Sequence, residues 1–207
     1  MVSTSNPAAA QHTMAGASAP AARSIAHLNA RVSAYLVDSV LLIAFILVFI
    51  VIGGSVLLLA SDLGKGDPSD AAYYGSITVF LGGCIISWSA FNLALMRWRG
   101  QTAGMYVIGI GTVSVDGRGL TTRQTLLRWF ALHPLLFHPF LLPIWAILSL
   151  LLVSYTLNAA VLVVTLALAL LCLLSPAASL LTLSLGTDRR APHDRLAGTF
   201  VVHLQQP

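Results

Sequence analysis

Long apolar stretches alternate with short polar ones along this chain. The apolar stretches cover about residues 32–56, 73–96, 135–153 and 158–185, each near the ~20 residues an α-helix needs to cross ~30 Å of hydrocarbon. The pattern predicts an all-α membrane protein with four transmembrane helices. From Leu132 to Leu185 there is no Lys, Arg, Asp or Glu, which leaves room for two spans, and the polar SYTLN at 154–158 is the natural turn between them. In HPLLFHPFLLP, Pro134, Pro139 and Pro143 delay a regular helix until about Phe140, and Pro176 predicts a kink in the fourth span. Tyr73, Tyr74 and Trp98 flank the second span as interfacial aromatics. Within it, Gly82, Gly83, Ser87, Ser89 and Asn92 suit close helix packing.

The polar segments divide the rest. Residues 1–29, rich in Ala and Ser, read as a disordered tail ahead of a single membrane domain at 30–207, with Ile25 to Leu36 as an interfacial helical lead-in. Residues 61–71 form a solvated loop; its aspartates lack the spacing and bidentate glutamate of a calcium loop. The connection from Arg97 to Arg128 reads as strand, turn and helix. Tyr106 to Val115 is rich in β-branched residues, Asp116-Gly117 signals the turn, and Thr121 or Thr122 caps the helix. On that helix Leu126, Leu127 and Phe130 are expected to face the membrane, with Arg123 and Arg128 in water. Gly109-x-Gly111 lacks the third glycine and following helix of a dinucleotide fingerprint. Thr199 to Leu204 is a second short β-branched stretch. Pairing it antiparallel with 106–115 gives a small cytoplasmic β element, since neither strand alone could pair its backbone.

Composition narrows the class. Hydrophobic residues make up 57%, charged residues 9%, and mean hydropathy is +0.85, against about 25% charged in a soluble domain. Ten of the 11 Lys and Arg residues fall before the first span, between the second and third, or after the fourth. The positive-inside rule then places both termini and the 97–128 loop in the cytoplasm, with only Lys65 on the other side of a cell membrane. Cys84 and Cys172 lie in apolar runs and read as buried thiols. His133 and His138 sit about 140° apart round a helix, which favours packing or a hydrogen bond over a shared metal. No nucleophile with its base, phosphate loop or metal set stands out, so neither an enzyme nor a cofactor is expected. The expected partners are the lipid bilayer and further copies of the chain or other membrane proteins, not nucleic acid.

Two ionisable residues stand out against the first span. Arg31 and Asp38 are seven residues apart, within roughly 20° of one helix face but about 10.5 Å apart along it, and an Arg side chain leans away toward the N-terminus. Each therefore needs another partner. With the span ending at Gly53-Gly54, the preferred register, Asp38 lies about 9 Å inside; with a span running to Ala60 it sits near the interface. A carboxylate at the greater depth must face protein or a water-filled cavity, pair with a cation, or take up a proton.

These residues, with GQTAGMYVIGIGTVSVDGRGL after the second span and HDRLAGTFVV near the C-terminus, resemble the RDD membrane proteins, named for one arginine and two aspartates. The resemblance covers 31 to about 203. It maps the motif onto Arg31, Asp38 and Asp194, with Gly100, Gln101, Thr102, Arg128 and Arg195 as supporting residues; Met105 departs from the Lys or Arg often found there. It implies a polytopic membrane protein in which the motif serves transport of ions or small solutes. The alternative is an accessory or assembly protein in which the same residues form structural ion pairs. Pairing of the two strands would carry Asp194 toward Arg31, which predicts an Arg31–Asp194 contact, or one from Asp194 to Arg128 or Arg195.

Overall fold

The computed structural model describes residues 24–156, 159–186 and 189–204. Of these residues 73% are helical, and among them there is one two-stranded sheet. Helices α1 (Leu28–Ala60) and α2 (Asp70–Arg99) form an antiparallel pair. Ser69 starts α2 by accepting a hydrogen bond from the Ala72 N–H, Arg97 and Arg99 sit in its last turn, and Gly100 ends it at φ 68°. The paired glycines of α1 do not end it: the helix runs on to Ala60. Gly53 serves packing instead. A Cβ there would lie 3.2 Å from Phe80 Cβ, and the missing side chain lets the Ser76 hydroxyl donate to the Gly53 carbonyl at 2.6 Å. Gly83 likewise leaves room for Phe49, whereas Gly82 meets nothing within 4 Å.

The second half is shorter than its hydrophobic pattern predicts. Helix α5 covers Leu142–Thr156 and is preceded by a 3-10 turn at Pro139–Leu141, so the expected span at 135–153 is not helical over 135–138 and becomes helical near Phe140, where the prolines were expected to allow it. Pro134 and Pro139 explain the late start, because each removes a backbone donor and crowds the preceding turn, while Pro143 falls in the first turn of α5, where proline is tolerated. In place of helix, Trp88 Nε1 donates to the Leu135 carbonyl at 2.9 Å and Ser175 Oγ to the Leu132 carbonyl at 2.7 Å, pinning this segment to α2 and α6. Helix α6 (Ala159–Leu185) contains Pro176 and packs on α5; of the expected turn at 154–158, residues 157 and 158 lie outside the described residues. Leu42, Leu81, Trp88, Trp129, Leu141 and Cys172 meet in the main core. Among the described residues three helices, α1, α2 and α6, are long and apolar enough to cross a membrane.

A cap of short elements closes one end of the bundle. After α2 come α3 (Ala103–Ile108), β1 (Ile110–Ser114) and α4 (Thr122–Phe130); after α6 come α7 (Pro192–Ala197) and β2 (Thr199–His203). The strands pair antiparallel, Ile110 opposite His203 and Ser114 opposite Thr199. The expected strand at 106–115 is thus shortened at its start, where Thr102 accepts from the Met105 N–H and Gly109 at φ 76° closes a helical turn. Of the expected helical lead-in from Ile25 to Leu36, Leu28 onward is the start of α1, while Ile25 to His27 is extended: Ala26 N donates to Val201 O and His203 N to Ser24 O, both at 2.9 Å, covering the free edge of β2. Of the expected tail, 1–23 lies outside the described residues. Ala26, Ala34, Ile110 and Val201 form a second small core beneath the sheet.

Candidate functional site

The motif separates into two sites on α1, two turns apart. At the first, Arg31 Nη1 donates to Asp194 Oδ2 at 2.8 Å, and Arg128 Nη1 donates to Asp194 Oδ1. Thr199 Oγ1 adds a 3.4 Å contact to Oδ1, and the Ala191 N–H donates to Oδ2 at 3.3 Å, so the carboxylate also ties down the start of its own helix. Asp194 is 0% exposed and Arg128 1%. One carboxylate thereby joins α1, α4, α7 and β2. Arg190 braces the arrangement from the backbone side, donating to the carbonyls of Thr199 at 3.1 Å and Asp194 at 3.0 Å and lying over the Phe200 ring.

Burial opposes a charge on Asp194, but the Arg128 and Arg31 guanidiniums outweigh it and hold the carboxyl at about 2. It stays ionised at neutral pH and does not carry protons there. Burial pushes the adjacent His193 imidazole down to about 4, with Asp194 opposing and the two arginines assisting. His133, whose ring centroid lies 4.7 Å from that of His193, is pushed well below its ordinary value, chiefly by burial. Both histidines are neutral at pH 7.

Asp38 stands at the second site, apart from Arg31 and Asp194. It is 2% exposed, and each carboxylate oxygen accepts one hydrogen bond from the start of α3: Thr102 Oγ1 to Oδ2 at 2.6 Å and Gly104 N to Oδ1 at 2.7 Å. An aspartate of one helix thus caps another, placing its charge at the positive end of the α3 peptide dipoles rather than on a side-chain cation. Gly104 is what lets the helices approach. A Cβ there would lie 2.0 Å from the Ala34 carbonyl oxygen and 2.8 Å from the Asp38 carboxyl. The neighbouring residues serve the same junction: Gln101 Nε2 donates to Ile110 O at 2.8 Å, and the Gly100 carbonyl accepts from Thr112 N at 2.7 Å.

Of the residues singled out in the sequence, Arg31, Arg128 and Asp194 come together, as do Asp38 and Thr102. Arg128 is buried rather than in water, because Thr125, Arg128 and Trp129 form the inward face of α4 while Leu126, Leu127, Phe130 and Arg123 point outward. Arg195 lies exposed on the far side of α7. His138 meets Ser39 Oγ through Nε2 at 2.8 Å and stacks on Tyr35, a hydrogen-bonded packing role. Sequence reasoning passed over Gly104 and His193. His193 could have been found from its place one residue before the motif aspartate; Gly104 could not, because the helix that gives it its role reads as strand.

This architecture is that of a helical multi-pass membrane protein whose charged residues clasp a cap to the bundle. The chain belongs to the RDD family, whose model matches residues 25–198. No curated protein and no solved structure matches it.

Proposed function

We propose that this protein is a four-span protein of the cell membrane, with its cap and both termini in the cytoplasm, that acts as an accessory or assembly component through association with other membrane proteins or its own copies, not as an enzyme. The observation that supports this most is the engagement of both motif aspartates in bonds within the chain: Asp194 is fully buried beneath two arginines, and both Asp38 oxygens are taken by α3. In this reading the third span is α5 completed by its 3-10 turn, about 28 Å of helix against ~30 Å of hydrocarbon. The arginine distribution sets the orientation.

Transport is the second reading. It is favoured by one feature, a cavity of about 270 Å³ beside α1 with Asp38 in its wall. Flux of protons and alkali cations through purified protein in liposomes separates the two. The accessory reading expects flux no greater than in protein-free vesicles, and a flux abolished by Asp38→Asn would overturn it.

A further inference from the structure

The wall of the cavity between α1 and α6 changes character along its length. At one end it is made by Arg31, Arg128 and His193 of the clasp; elsewhere it is largely apolar, with Leu36 of α1 and Leu180 and Leu183 of α6. Leu36 and Leu180 are exposed on the bundle surface, so the cavity is bounded by helix faces that meet lipid. At the clasp two guanidiniums share one carboxylate, and donor capacity is left over: among the described residues, Arg31 Nε and Nη2 and Arg128 Nε are buried and make no hydrogen bond. His193 Nδ1 is also buried and unpartnered.

Buried guanidinium nitrogens are almost always paired, and three without a partner within the chain, on two side chains that line the cavity, suit an acceptor with several oxygens. Asp38 lines the same cavity with opposite charge, but its oxygens are engaged by Thr102 and Gly104 about two helical turns away, so the excess positive charge stays at the clasp. From this geometry we infer that the cavity holds the headgroup phosphate of an anionic phospholipid, with the phosphate at Arg31 and Arg128 and an acyl chain along Leu36, Leu180 and Leu183. A phosphate oxyanion is the shared chemistry of a lipid headgroup and a free phosphate ion. The apolar wall decides for the lipid, since an inorganic ion would leave that surface uncovered. The inference is independent of the accessory reading, because a lipid could occupy this cavity whether or not the protein conducts.

The test uses the full chain purified in detergent and exchanged into nanodiscs of phosphatidylcholine alone or mixed with phosphatidylglycerol, with bound lipid counted by native mass spectrometry after gentle release. One phosphatidylglycerol per chain should be retained over phosphatidylcholine by about tenfold, the equivalent of one charge-assisted hydrogen bond. Because Arg31 and Arg128 also hold the cap, their loss could unfold it. The deciding variant is therefore Leu180→Trp, which fills the apolar end without touching the clasp and should reduce retention about tenfold while the thermal midpoint in detergent is kept. Equal retention of both lipids, or retention unchanged by Leu180→Trp, overturns the inference. So does thermal stabilisation by excess inorganic phosphate that matches that by phosphatidylglycerol, which would reassign the nitrogens to a free ion.

Discussion

Replacing Asp194 by Asn removes the single negative charge from beneath two guanidiniums while keeping the volume of the side chain. The wild-type carboxylate accepts from Arg31 Nη1, Arg128 Nη1, Thr199 Oγ1 and Ala191 N with no exposure to solvent. An amide would leave two like charges facing each other and turn one former acceptor position into a donor aimed at a donor. Breaking a buried ion pair this way costs about 3–5 kcal/mol. Arg31→Gln removes one cation and leaves Arg128 still paired with Asp194, so its cost should be smaller, about 1–3 kcal/mol. Hydrogen exchange at the β1–β2 amides reports this locally. Opening of the cap should accelerate by about a hundredfold to a few thousandfold in Asp194→Asn and distinctly less in Arg31→Gln. If Arg31→Gln proved as damaging as Asp194→Asn, or if both left exchange unchanged, Asp194 would not be the hub of the cap and the clasp argument would fail.

Gly104→Ala should undock α3 from α1, since its Cβ would meet the Ala34 carbonyl at 2.0 Å, whereas Gly119→Ala, which meets nothing within 4 Å, should be neutral; thermal melting of the two variants in detergent compares them. Acid should loosen the cap in two stages. The His193 imidazole has a folded value of about 4, below its ordinary 6.5, so the stability it contributes is complete above 6.5 and is lost as pH falls toward 4, on the order of 3 kcal/mol. The depressed Asp194 carboxyl, at about 2 against 3.8, adds a further loss only below about pH 4. The melting temperature should therefore drop as pH falls from 6.5 toward 4, and His193→Gln should lessen that drop but not remove it, because buried His133 resists protonation in the same range. Single cysteines at Gly66 and Gly119 should be labelled from opposite sides of intact cells, given that native Cys84 and Cys172 are buried; labelling of both from one side would rule out four spans.

The long helices were legible because nothing competes with hydrophobicity over more than 20 residues, and the sheet because two β-branched stretches lacked any other partner. Local signals failed where tertiary contacts outweigh them. The Tyr106–Ile108 stretch reads as strand by propensity but coils as α3, because Asp38 holds the Thr102 hydroxyl and Gly104 N–H at its start. Arg128 reads as solvated because its cost of burial is high; only Asp194, 66 residues later, makes that burial tolerable. Spacing on α4 contained the clue, since Arg128 lies three residues from Thr125 and beside Trp129 on the face opposite Leu126, Leu127 and Phe130. Arg31 and Asp38 share a stripe, but the rise along the helix between them already required separate partners, and they take them, Asp194 for Arg31 and the start of α3 for Asp38; what helix periodicity could not name was α3.

The separation of 163 residues between Arg31 and Asp194 has a meaning in time. Ribosomes add about 5–20 residues each second. The arginine therefore emerges roughly 10–30 s before the aspartate that neutralises it, and β2, which closes the sheet against both β1 and Ser24–Ala26, is made later still. Until then a nascent chain shows open strand edges and a pair of uncompensated guanidiniums, and a chain broken off before Asp194 shows them permanently. The clasp and the sheet therefore close only after α7 and β2 are made, long after the helices they fasten.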